Sequence, residues 1–167
     1  YFNENKGNYL IDASITYTHV FFNAGNGNME DSENAALSTL AQLNKHRVPF
    51  EQAATFGDRF LFHRNYVDRT PDFVKNHFGE GFSNNVFKLN PSAMEWQGPF
   101  TSRYGVHLIL VTKNTPSKIP ELEEVAALVL DDLRRLKLDD ARKAAVDKMI
   151  SKYSISRDLP LDSAVDA

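Results

Sequence analysis

The chain contains no cysteine. Disulfides, thiolate nucleophiles and cysteine-ligated metal sites are therefore excluded. The absence leaves the compartment open, although it suits an exported protein with no thiol to protect. No run of basic residues is longer than Arg134-Arg135. With a formal net charge of −3 and a pI near 5.9, that scatter argues against a nucleic-acid-binding surface. No apolar run approaches the ~20 residues needed to cross a bilayer. No signal peptide is visible, and there is no internal repeat or low-complexity segment. The chain opens on Tyr1 rather than Met and reads as a processed or truncated piece, which allows an N-terminal membrane tether outside it.

What is present is enough for a real core. The 167 residues are 42% hydrophobic and include 12 Phe. That length suits one domain of ~100–150 residues with an appendage. Residues 1–13 form a polar flanking segment and 14–113 the domain. Residues 114–120, with Pro116 and Pro120, form a linker, 121–153 a long helix and 154–167 a loose tail.

Ile15-Thr-Tyr-Thr-His-Val-Phe-Phe22 alternates and is β-branched or aromatic, so it reads as a strand. Ile15, Tyr17, His19 and Phe21 share one face, and Thr16, Thr18, Val20 and Phe22 the other. After a loop at 23–28, Asp31 or Ser32 caps a helix to about Lys45, with Ala36, Leu37, Leu40, Ala41 and Leu43 on its apolar side. Pro49 starts a short helix over 50–56, stopped by Gly57. Residues 58–70 read as a loop rich in aromatic and charged residues. Thr70-Pro71-Asp72 opens a helix to Phe78, with proline at the first helical position. Gly79 stops it, and a second helix over 80–88 turns Phe82, Val86 and Leu89 toward the core. Strands follow at about 95–100 and 106–112. Pro120-Glu-Leu-Glu-Glu opens the last helix, in which Leu122, Val125, Val129, Leu133 and Leu136 form one stripe. Few strands and several helices, without βαβ alternation, indicate an α+β fold.

The most informative stretch is Glu95-Trp-Gln-Gly-Pro-Phe-Thr-Ser-Arg-Tyr-Gly-Val-His-Leu-Ile-Leu-Val111. Its histidine opens a β-rich run, and His19 sits in the other one. Two such histidines meet only if their strands are sheet neighbours. Thr18-His19-Val20, Phe50-Glu51 with Ala53-Ala54, Phe82-x4-Phe87-x-Leu89, Trp96-x-Gly98-Pro99 and Ser102-x-Tyr104-Gly105-x-His107 stand in one order. Each piece alone is weak, but together they resemble the parvulin-type peptidyl-prolyl cis-trans isomerases, the rotamase family. The likeness spans about residues 14–113 and is strongest to bacterial extracytoplasmic, membrane-tethered members.

The resemblance implies a small antiparallel sheet of about four strands surrounded by helices. It also implies catalytic positions at His19, His107 and Ser102, with Asp58 standing where the family carries an acid or thiol. Phe82 matches the floor of the proline pocket, Phe78 its wall, and Tyr104 a neighbouring position. The pattern departs at 57–70, where the wall residue of the usual Gly-Gly-Asp-Leu-Gly-type segment falls to Phe60, Leu61 or Phe62. No cofactor or metal is implied. The implied partners are proline-containing unfolded polypeptides, and the apolar stripe of the last helix allows self-association.

Amide rotation has a barrier of ~18–20 kcal/mol and moves no proton. A catalyst must seat the proline ring in apolar surroundings and favour the twisted amide. Bland readings compete. Either histidine alone reads as a satisfied structural group. Phe82, Phe87 and Leu89 are core on any reading. His63 and His77 lack metal-site spacing. Two functions therefore stand: a prolyl isomerase assisting the folding of exported proteins, and a binding module with the same fold and little turnover. The retained histidine pair, Ser102 and Phe82 favour the first, and the altered 57–70 segment the second.

Overall fold

A computed structural model describes residues 1–25 and 28–153. The expected loose tail and two residues of the 23–28 loop lie outside the described residues. Leu10–Ile119 forms one compact unit, and among the described residues Tyr1–Tyr9 with 120–153 forms another.

The first unit is built on strand β1 (Ser14–Asn23), helix α1 (Met29–Lys45), strand β2 (Asn65–Arg69), helices α2 (Pro71–Phe78) and α3 (Glu80–Val86), and strands β3 (Gln97–Ser102) and β4 (Gly105–Thr115). The sheet is antiparallel in the order β2-β1-β4-β3. The fold is α+β, a small antiparallel sheet with helices packed on both faces.

The period-2 alternation of the central strands divides the core. Ile15, Tyr17, Phe21, Ile109 and Val111 join Val74, Phe78, Phe82 and Val86 on the α2–α3 face. Val20, Phe22, Val106, Leu108 and Leu110 join Ala36, Leu43 and Trp96 on the α1 face. Asn44, at the end of α1, anchors the start of β3. Its side chain accepts from the Trp96 N–H at 2.8 Å and donates to the Trp96 carbonyl at 3.0 Å. The Trp96 indole N–H donates to the Val48 carbonyl at 2.8 Å.

Several expectations need correction. The α1 cap is Asn28, whose side chain accepts from the Glu30 N–H, because the helix starts before Asp31. Leu37 and Ala41 point to solvent, since the face that meets the sheet is carried by Ser32, Ala36 and Leu43. Residues 50–56 close only one 3₁₀ turn, at Ala53–Thr55. The segment 58–70 is not all loop. Asn65–Arg69 pairs with β1, through Tyr17 opposite Tyr66 and Thr18 opposite Asn65. Only Tyr66 of that strand is buried, so it carries almost no alternation to read. The last strand also runs further than expected, to Thr115.

The helix starts at Thr70 and stops at Gly79 stand as expected. The Thr70 hydroxyl accepts from the Phe73 N–H, and Gly79 adopts φ +107°. Two other glycines are required. At Gly57 (φ +69°) an added Cβ would lie 2.5 Å from the Phe21 carbonyl oxygen. At Gly105 (φ +144°), in the β3–β4 turn, it would run into the Phe22 carbonyl oxygen.

The second unit holds a 3₁₀ turn at Lys6–Tyr9 and helix α4 (Leu122–Ile150). The Glu124 carboxylate reaches back to the Glu121 N–H at 2.9 Å, and the Tyr9 hydroxyl donates to Asp132 at 3.0 Å. Of the expected stripe Val129 is buried, whereas Leu122 and Leu136 are exposed, as are Leu128, Leu130 and Leu138. Among the described residues no helix is long and apolar enough to cross a membrane.

Candidate functional site

His19 pairs in register with Ile109, and His107 with Phe21. The two histidines are thus diagonal neighbours on one face of the central strand pair, a geometry that brings long side chains together. Their Nδ1 atoms are 2.9 Å apart. His19 Nε2 lies 3.0 Å from the His63 carbonyl oxygen, and His107 Nε2 lies 2.7 Å from the Ser102 hydroxyl. The Ser102 oxygen in turn accepts from the Tyr104 N–H at 3.1 Å.

This chain of contacts has one direction, assigned from the acceptor at its end. A carbonyl oxygen only accepts, so His19 must carry its proton on Nε2. Neutral His19 then has a bare Nδ1, which accepts from His107 Nδ1–H. Neutral His107 has a bare Nε2, which accepts from the Ser102 O–H. The relay runs Tyr104 N–H to Ser102, Ser102 to His107, His107 to His19, and His19 to the backbone of His63.

Both imidazoles are held neutral. The His19 pKa is lowered to about 4, chiefly by burial, with the His63 hydrogen bond opposing the shift and the nearby Arg64 and His77 charges adding to it. Burial lowers that of His107 as well, and a charge on His19 would lower it further. Burial also lowers His77, helped by Arg103 and His63. The relay is therefore an uncharged polar thread through an apolar layer.

That layer is aromatic. Phe78 stacks on Phe82 with centroids 4.6 Å apart, and their rings stand edge-on to His107 at 5.5 and 5.2 Å. Tyr104, half-buried, meets Phe78 at 6.2 Å. Phe60 is 6% exposed and makes edge contacts with His19 at 4.7 Å and Tyr104 at 5.4 Å, and a stacked contact with Phe78 at 5.9 Å. Leu61 is 82% exposed and Phe62 45%. Phe60 is therefore the residue of the three that is buried in the site, while Phe62 packs on Tyr104 from outside at 5.7 Å. The helix α2–α3 pair delivers Phe78 and Phe82, the β3–β4 turn Ser102 and Tyr104, and the segment before β2 delivers Phe60.

Seven of the eight expected residues come together. The exception is Asp58, whose carboxylate accepts from the Asn23 N–H at 2.8 Å while its own N–H donates to the Phe21 carbonyl at 2.7 Å. All four ring nitrogens of the histidine pair are engaged without it. The site also includes residues the sequence does not flag. Phe21 packs on His107 at 5.1 Å, Tyr66 on His19 at 5.8 Å, and His63 contributes only its carbonyl. The aromatic crowding of 58–70 hides which of its rings face inward.

A cavity of about 700 Å³ contains none of these residues; Pro71, Phe87, Leu89, Pro91 and Pro116 line it. Phe87 and Leu89 thus edge a groove as well as packing against the core. A smaller cavity of about 140 Å³ reaches His19 from the side of Phe50 and Arg64. A concave seat over Phe78 and Phe82 is expected from the sequence. In this conformation ring-on-ring packing fills that space, and Phe78, Phe82 and His107 are buried.

The sheet order, the paired sheet histidines and the hydroxyl between turn and ring define a parvulin-like domain. The sequence model of the PPIC-type PPIASE domain, that is, of peptidyl-prolyl isomerases, matches residues 1–127, and the chain belongs to that family. No curated protein matches it. Among solved structures, it is similar to a chain from work on PEB4 and Cj1289, structurally related SurA-like chaperones of Campylobacter jejuni. There the TM-score is 0.59 at 11% identity, covering 93% of this chain and 60% of that one. PrsA from Bacillus subtilis aligns with a TM-score of 0.40 at 18% identity, covering 88% of this chain and 52% of that one. The chain spans between half and three-fifths of the length of these structures.

Proposed function

We propose that the domain catalyses cis-trans rotation of X-Pro bonds in unfolded polypeptides. The observation that carries this reading is the neutral His19–His107 pair lying against Phe78 and Phe82. A planar amide is more dipolar than a twisted one, because resonance separates charge between nitrogen and oxygen. Water therefore favours the planar form. A seat of aromatic rings and uncharged imidazoles withdraws that preference and favours the twisted state. Phe78 and Phe82 hold the proline ring. His19, His107 and Ser102 keep the floor rigid and uncharged. The reaction moves no proton, so these residues position the site and exchange nothing with the substrate.

The Campylobacter jejuni relatives are described as SurA-like chaperones, one of them periplasmic. An extracytoplasmic role in assisting protein folding is part of the same proposal. So is self-association through α4, supported by its exposed Leu128, Leu130, Leu136 and Leu138. A second reading has its own observation. The buried Phe60 ring over the floor favours a module that holds chains without turning them over.

Exchange spectroscopy on an Ala-Ala-Pro-Phe peptide separates the two. The isomerase reading expects faster cis-trans exchange with catalytic amounts of the protein, unaffected by a chelator, together with a shallow pH profile. A bell centred near the ordinary histidine pKa would contradict the mechanism. No acceleration on a full X-Pro series, alongside capture of a reduced, unfolded protein, would establish the binding module instead.

A further inference from the structure

We propose that Phe60 is an internal occupant of the proline seat, a plug that a substrate proline must displace before it binds. The inference rests on the isomerase reading for the location of the seat. Its own basis is the packing of one side chain.

Phe60 is the hub of the site. Its ring touches both sheet histidines, at 4.7 Å for His19 and 5.6 Å for His107. It stacks on Phe78 at an interplanar angle of 14° and meets Tyr104 edge-on at 5.4 Å. A flat apolar ring on an aromatic floor, above two imidazoles and beside a tyrosine, is the arrangement a proline ring would take. With Phe60 in place, Phe78, Phe82 and His107 are 1%, 2% and 0% exposed, so the seat is closed to solvent.

The segment that carries the plug is pinned at its ends and held in the middle by rings alone, Phe60 inside the site and Phe62 against His77 at 4.7 Å and Tyr104 at 5.7 Å. Upstream, the Asp58 N–H donates to Phe21 and the Asp58 carboxylate accepts from Asn23. Downstream, the His19 N–H donates to the Arg64 carbonyl at 3.1 Å, and the His19 ring holds the His63 carbonyl. Both anchors lie on β1. Between them, among the described residues, Arg59 to Phe62 make no backbone hydrogen bond. Lifting Phe60 therefore breaks ring contacts and leaves the sheet whole. Leu61 and Phe62 are already outside, exposed beside the site, where an arriving chain would meet them first.

A plug lowers apparent affinity by the fraction of molecules in which it is lifted. Removing it should therefore tighten substrate binding, whereas removing a wall should loosen it. The test is titration of the full chain with an Ala-Ala-Pro-Phe peptide by NMR. Phe60→Ala should bind it tighter than the unmodified chain by roughly tenfold or more. Because the chain has no cysteine, Phe60→Cys supplies a single thiol, and its alkylation should speed up when the peptide is added. Phe60→Leu, which keeps the apolar bulk, serves if Phe60→Ala does not fold, and should bind between the two. Unchanged or weaker binding by a folded variant, or a thiol protected by peptide, would overturn the plug and make Phe60 a wall. Unmodified protein that isomerises the peptide as fast as the variants would also overturn it while leaving the isomerase reading intact. Tighter binding by Phe60→Ala with no isomerisation in any variant would keep the plug and sink the isomerase reading.

Discussion

The imidazoles of His19 and His107 meet nitrogen to nitrogen, Nδ1 to Nδ1, at 2.9 Å across the central strand pair. One of those atoms must be bare for the other to donate. The contact is therefore incompatible with two charged rings, and it ties the stability of the sheet to the protonation of its histidines.

That tie has a sign. Both folded-state pKa values lie below the unfolded value of about 6.5, so the unfolded chain binds more protons as the medium turns acid. The contribution is fully present above that value. It is lost as pH falls toward about 4, the folded value for His19. Urea denaturation between pH 7 and 5 should show stability dropping by about 1.4 kcal/mol per pH unit for each histidine once pH is well below 6.5. A His107→Asn variant should have a shallower profile. Equal slopes in both proteins would mean that the pair is not the source.

The relay predicts two opposite tautomers. Long-range proton–nitrogen NMR at pH 7 should find His19 protonated at Nε2 and His107 at Nδ1. The reverse assignment in either ring would break the chain, because His63 offers only a carbonyl oxygen at its end.

Ser102→Ala removes the hydroxyl proton from His107 Nε2 and the acceptor from the Tyr104 N–H. The expected cost is about 1–3 kcal/mol in urea denaturation, the usual penalty for a buried polar group left without its partner. Ser102→Thr keeps the hydroxyl and should recover most of it. A loss equal in both variants would point to the turn itself rather than the bond.

Phe82→Ala should lower stability by about 3–5 kcal/mol, since the ring is fully packed. It should also weaken binding of an X-Pro peptide by the molecules that remain folded. Normal peptide affinity in the folded fraction would make Phe82 core alone.

Tyr17 carries a hydroxyl that is buried without a hydrogen-bond partner among the described residues, its ring stacked on Tyr66 at 5.1 Å. Tyr17→Phe keeps the stacking and removes the stranded group. Thermal denaturation should find the variant as stable as the parent or more so, by up to about 2 kcal/mol. A clear loss would mean that the hydroxyl is satisfied in solution.

The sequence by itself determined the elements whose signals are local. The alternation of Ile15, Tyr17, His19 and Phe21 against Val20 and Phe22 divides the core as observed, because a strand has period two whatever it pairs with. Thr70-Pro71 and Gly79 bound α2 because a cap and a positive φ are properties of single residues. The ordered motif from Thr18 to His107 was enough to suggest the fold. Tertiary structure alone decided the rest. β2 exists because β1 offers an edge, and with one buried residue it could not announce itself. Asp58 reads as a candidate acid by position, yet the Asn23 N–H at the end of β1 claims its carboxylate. Which of Phe60, Leu61 and Phe62 turns inward depends on where two anchors hold the backbone. The protonation pattern of the histidines is set by a carbonyl 44 residues away in sequence from His19, a contact that only a folded sheet brings within reach.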